Sequence, residues 1–226
     1  MTGMAGGSAV REDPAGVRDL PAHRWLVTGG ALLTAGALLL LSFLPEPPGE
    51  AVALTTWVEQ ARPLLTWSDE LLFFAVLCWG AGARGLFGAR TAAPSARIDV
   101  GAAALTTALV ALVVVLLALG RLIYPVFAID LAPEAVTLLV SATFGAVHLV
   151  FLGFAVAAAA LTWSTRTRIL GRGVGIVAAA AFLAGSFPWM MPAWANSLAA
   201  IAVAAWGVFL AFTSATSPAD AAPHPS

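Results

Sequence analysis

The side chain best placed to do chemistry in this sequence is His148, because it sits in the middle of a long apolar run. An imidazole titrates near neutral pH, so at such a depth it can carry a proton or contact a ligand. About 100° per residue on a helix brings Glu134, Thr137, Ser141, Gly145, His148, Ala155, Ala159 and Thr162 onto one face. Phe144 and Leu152 intrude on that face, while Leu139, Thr143, Ala146, Val150 and Ala157 fall roughly opposite. The stripe predicts that Thr137, Ser141 and His148 face other helices and not lipid, which offers a polar group no partner. No acid lies at the same depth. The favoured reading of His148 is therefore an imidazole bonded to a neighbouring helix, with a proton-carrier or ligand role as its rival.

A second cluster, Arg121, Tyr124, Asp130 and Glu134, gathers at the junction of the third and fourth apolar runs. Its structural reading pairs Arg121 with Glu134 or Asp130, ends a helix at Pro125, caps the next with Asp130 and puts Pro133 in its first turn. An external ligand or gate site is the rival.

Other chemistry is excluded by counting. The single cysteine, Cys78, rules out an intramolecular disulfide and a cysteine-based zinc or iron–sulfur site. His23 and His224 lie far from His148 in the chain, so the histidines assemble neither a metal set nor paired haem ligands, and no metal or other cofactor is expected. Signatures of NTPases, α/β-hydrolases and zinc proteases are absent, and no catalytic residue is assigned. With 11 arginines, no lysine, 12 acids and a net charge of −1, the chain lacks the basic excess of a nucleic-acid binder.

Hydrophobic residues make up 60% of the chain and charged ones 10%, far from the balance of a soluble domain. The elements that must carry the polar residues are six apolar stretches, at residues 25–44, 71–87, 100–119, 135–161, 174–187 and 195–212. Each is near the length of a membrane span; the second reaches to Arg84, and the fifth must start near Ile169 and carry Arg172. Backbone amides in lipid must be satisfied within the segment, so the expected fold is all-α: a polytopic bundle of six transmembrane helices occupying residues 25–212. The first stretch is longer than a signal-peptide core and is expected to stay as a span. The flanking 1–24 and 213–226 are rich in Gly, Ala, Pro and Ser and are expected to be disordered cytoplasmic tails.

In the first external loop, Leu54, Trp57, Val58, Ala61, Leu64 and Leu65 recur at helical spacing. They predict a short amphipathic helix lying in the membrane interface, kinked or ended by Pro63. Gly171 and Gly175 make a G-x-x-x-G spacing suited to a close helix contact. Such small-residue faces would also suit a partner subunit or a second copy.

Orientation follows from charge. Arg11, Arg18, Arg24, Arg84, Arg90, Arg97, Arg166, Arg168 and Arg172 fall on the side of the termini, against Arg62 and Arg121 on the other. By the positive-inside rule both termini are cytoplasmic. Trp25 and Trp163 mark the inner boundary and Trp57, Trp67, Trp189 and Trp194 the outer one, while Trp79 and Trp206 lie deep, as packing residues.

Tyr124–Pro125, His148–Leu149 with Gly153, Arg166–Thr167–Arg168 leading to Gly171, and Trp206–Gly207 resemble features of a family of six-helix bacterial integral membrane proteins with no assigned reaction. The resemblance covers the C-terminal half and implies a plasma-membrane location without implying an activity. The arginine-only, alanine-rich usage resembles that of a high-GC bacterium. Three functions stay open. The poor polar inventory favours a non-enzymatic structural or partner-subunit role. A small transporter or channel would run its path along the fourth span, and an intramembrane enzyme would need several ionisable groups at one depth.

Overall fold

The computed structural model describes residues 22–88, 96–127, 129–164 and 169–213. Most of the two segments expected to be tails lies outside the described residues, as do Arg90, Arg166 and Arg168. At their edges the expectation is corrected: Ala22–Arg24 already belong to the first helix, and Thr213 closes the last.

The described residues form six helices: α1 (Ala22–Ser42), α2 (Ala51–Gly88), α3 (Ala96–Ile123), α4 (Pro133–Ser164), α5 (Ile169–Gly185) and α6 (Ala193–Thr213). All but α5 are long and apolar enough to cross a membrane. The chain is an all-α bundle of the multi-pass membrane kind. The α1–α2, α3–α4 and α5–α6 connections lie at one end, here called distal; the other end is proximal. Packing follows chain order, with α1 also closing against α6. Large apolar side chains such as Leu117, Leu138, Val177 and Phe212 are exposed around the outside, where only hydrocarbon would suit them.

The amphipathic helix of the first loop is not a separate element. It runs without a break into the second span, so α2 has 38 residues, a length of about 57 Å. Pro63 lies inside it and neither ends it nor starts a new one. Proline removes the hydrogen bond to the Glu59 carbonyl, but Glu59, Gln60, Arg62 and Pro63 are all exposed, so water can serve that oxygen. The apolar face is the expected one with a different partner. Leu54, Val58, Ala61 and Leu65 are buried within the protein core instead of resting on lipid.

In contrast, α5 has only 17 residues. Pro188 stops it, because a proline biases the preceding residue away from the helical region. Ser186 and Phe187 close the last turn on the carbonyls of Leu183 and Ala184. Its end lies beside His148, the sixteenth residue of α4, so the distal half of α4 has no α5 alongside it.

The proximal and central part is held by close backbone approach around large aromatic rings. Trp79, Phe154, Phe182 and Trp206 are each at most 1% exposed, with neighbouring ring centroids 5.8–6.1 Å apart. The buried indole of Trp79 donates to Thr34 Oγ1 at 3.2 Å, and that hydroxyl donates to Gly30 O at 2.8 Å, so these two buried polar groups are paired. Glycine lets the helices meet. A Cβ at Gly153 would come within 2.8 Å of Ala104 O on α3, and one at Gly207 would overlap Ala31 on α1. Gly175 of the G-x-x-x-G pair lies directly against Thr162, the close α4–α5 contact that its spacing predicts.

Candidate functional site

His148 lies where α5 stops. Its Nδ1 is 2.6 Å from the backbone oxygen of Ser186, and its ring packs against Phe187 and Trp189, at centroid distances of 5.0 and 6.0 Å. A carbonyl oxygen can only accept, so Nδ1 carries the proton and the Nε2 edge is left for another partner. The bond satisfies one of the carbonyls that a helix end leaves open, so it does structural work on α5.

The polar stripe on α4 splits at this point. Proximal to His148 its members Ala155 and Thr162 are buried; distal to it Ser141 and Gly145 are exposed. The expectation that Ser141 faces the bundle is therefore corrected. The helix that would have covered it has ended. On the opposite face Thr143, Ala146, Val150 and Ala157 are buried and Leu139 is partly buried. Thr137 is partly covered, and its hydroxyl donates to Pro133 O one turn back. Glu134 is exposed.

Arg121 does not pair with Glu134 or Asp130 as expected; it donates to the backbone oxygen of Ile129 at 3.3 Å. Pro133 is the first residue of α4, so Ala132, not Asp130, is the capping residue, and its oxygen accepts from Ala135 and Val136. Arg62 meets the same corner from α2, donating to Ile123 O at 3.2 Å. Tyr124 donates to Glu70 Oε1 at 2.7 Å, and this bond to a carboxylate pushes its phenol up to about 12. The residues singled out in the sequence thus occupy three separate places: the α3–α4 corner, the exposed distal face of α4, and the end of α5. Among the described residues, no three His, Cys, Asp or Glu side chains converge on a metal position.

Sequence reasoning missed two features. Asp69 counts as one more external acid by position, yet it is buried near Gly120 of α3 with Oδ1 lacking a hydrogen-bond partner. The larger omission is a cavity of about 840 Å³ at the distal end. Its walls come from Leu38 and Leu41 of α1, Trp57 and Leu65 of α2, Leu119 and Leu122 of α3, Val140 to Phe151 of α4, and the Pro188–Asn196 stretch. It is of the size and apolar character of small-molecule sites. Asn196 anchors the loop at its edge, donating to Pro188 O at 2.9 Å and Met191 O at 3.4 Å, and its own Oδ1 is buried without a partner. No periodicity signals such a space, because five elements distant in sequence enclose it. The only local hint is Pro188–Trp189–Met190–Met191–Pro192, an apolar turn that cannot be helical.

No protein-family model, curated protein or solved structure matches this chain. Its class rests on its own geometry, that of a multi-pass helical membrane protein.

Proposed function

We propose that this chain is a six-span protein of a bacterial plasma membrane, with both termini cytoplasmic, acting non-enzymatically as a structural or partner subunit. Nine arginines on the terminal side against two on the other support that orientation. Trp25 exposed at the proximal end and Trp67, Trp189 and Trp194 exposed at the distal end match two headgroup levels. For α5 to cross, its 17 residues need Arg172 to snorkel at one end and the Ser186–Pro192 turn to sit at the distal membrane surface.

The observation that carries the non-transport reading is the Trp79–Phe154–Phe182–Trp206 cluster, which fills the centre of the bundle with rings and has its Trp79 indole paired to Thr34. A polar path along α4 has no support from its distal half, where Ser141 and Gly145 are turned outward. The use of His148 on a backbone oxygen favours a positioning role over proton carriage.

Cysteine accessibility tests this. In a Cys78→Ser background, cysteines at Phe154 and Phe182 should resist a water-soluble maleimide from both sides of the membrane. Rapid labelling at either would mean an aqueous path and would establish the transporter reading in its place. Reporter fusions at Pro48 and Pro192 should read external, and one at Ser95 cytoplasmic; the reverse pattern would sink the orientation.

A further inference from the structure

We propose that the distal cavity holds one hydrocarbon chain whose head group is an ammonium, that of a long-chain amine taken up from the membrane. The inference goes beyond a structural role, because it assigns the protein a ligand. Three observations carry it.

The first is the space itself. About 840 Å³ lined chiefly by Leu, Val, Phe, Trp, Met and Pro is within the range of small-molecule sites. Water would find few partners in it, whereas a hydrocarbon chain matches its walls.

The second is that most side-chain donors on its lining are already engaged. Thr143 donates to Leu139 O and the Trp57 indole to Pro45 O. Ser42 is bonded to Leu39 O and to Ser197, and both Asn196 bonds go to loop carbonyls. The Trp189 indole is the exception among the lining side chains. A head group that needs several donors, as a carboxylate or phosphate does, finds little here.

The third is the charge at its edge. Among the described residues, Glu46 is the only charged one on the lining; it is exposed at the rim, and no arginine or histidine among them offsets it. An ammonium supplies N–H donors and the charge opposite to that of Glu46.

Octadecylamine, octadecanol, methyl octadecanoate and octadecanoate share one chain length and differ at the head. Titrated into the full-length purified protein and counted by native mass spectrometry, the amine should saturate at one chain per protein. The alcohol should bind about 3-fold more weakly, the ester weaker still and the carboxylate weakest, since an exposed ion pair is worth about a factor of 1.4–5. Glu46→Gln, at an exposed loop position, should bring the amine down to the level of the alcohol and leave the alcohol unchanged. Val140→Trp and Leu41→Trp fill the cavity from two different helices, and each should abolish the saturable binding of all four. Folding of each variant is checked by an unchanged thermal transition, and the two fillings guard against one of them failing to fold. Carboxylate binding as tight as that of the amine would overturn the proposal, as would amine affinity unaffected by Glu46→Gln, or saturation surviving both fillings. Phosphatidylethanolamine, which carries a phosphate beside its ammonium, should not compete for the site, and competition equal to that of the free amine would overturn the head-group assignment. Displacement only by the free amine identifies a single-chain ligand.

Discussion

The two halves of the bundle are built on opposite terms. In the proximal and central half, Trp79, Phe154, Phe182 and Trp206 pack ring on ring and glycines let backbones touch, as at Gly153 against Ala104 and Gly207 against Ala31. In the distal half, α5 has ended, a proline-bounded loop replaces helix, and the space between the elements stays open. What differs is whether neighbouring helices run alongside each other for their whole length. In lipid the helices gain little from apolar transfer and hold together by contact, so the contrast is one of rigidity as well as shape.

Substitutions can break that contrast, and the largest effect belongs at the centre of the rings. Trp206→Ala should destabilise the purified protein by about 3 kcal/mol, the low end of such truncations because the transfer contribution is smaller in lipid. Unfolding in a denaturing detergent measures it, and a loss below about 1 kcal/mol would mean the cluster is loosely packed. Gly153→Ala should cost about 1–3 kcal/mol in the same assay, since its Cβ meets backbone and not a flexible side-chain tip. His148→Leu should cost about 1–3 kcal/mol by leaving the Ser186 carbonyl without its donor. The transition should lose cooperativity first in α5, seen as faster amide exchange at residues 183–187. Gly145→Ala, on the same helix as Gly153, should have the opposite sign. A Cβ there meets nothing within 4 Å, and replacing a helical glycine stabilises by roughly 0.5–1 kcal/mol. Equal effects at Gly145 and Gly153 would erase the difference between the halves. A chemical comparison sharpens it further. In a Cys78→Ser background a membrane-soluble maleimide should label a cysteine at Ser141 much faster than one at Val150, which is fully buried.

The α4 stripe shows how far a sequence can be read here. Its period marks a face that meets another helix over the proximal half, where Ala155 and Thr162 are covered, but gives no sign that the opposite face, with Val150 and Ala157, is buried as well. It says nothing about where the neighbour stops, so Ser141 and Gly145 carried the same expectation and have the opposite environment. The same limit applies to α2. The apolar face of Leu54, Val58, Ala61 and Leu65 was legible, but whether it rests on lipid or on protein depends on what α3 and α4 place beneath it. Pro63 misled because the cost of a proline depends on whether its freed carbonyl is exposed, and exposure is a tertiary property. Arg121 found a carbonyl because the α3–α4 turn brought Ile129 within reach, a matter of loop geometry that charge pattern cannot convey. The deep positions of Trp79 and Trp206 and the Gly171–Gly175 contact needed only local spacing, and those were legible.

A helix of 17 residues has a consequence outside the protein. At about 26 Å it is shorter than a hydrocarbon core of about 30 Å, while α4 beside it is longer than that core. A bilayer crossed by both could not match both: it would thin along the α5 edge, or Arg172 would snorkel, and it would thicken, or let the helix lean, along the α4 edge. Each ångström of that mismatch costs a fraction of a kcal/mol, and the sum sorts proteins between membranes. The missing turns of α5 therefore tie the bundle to bilayer thickness: short-chain lipids relieve the strain, and long-chain lipids raise it on the side where the cavity lies.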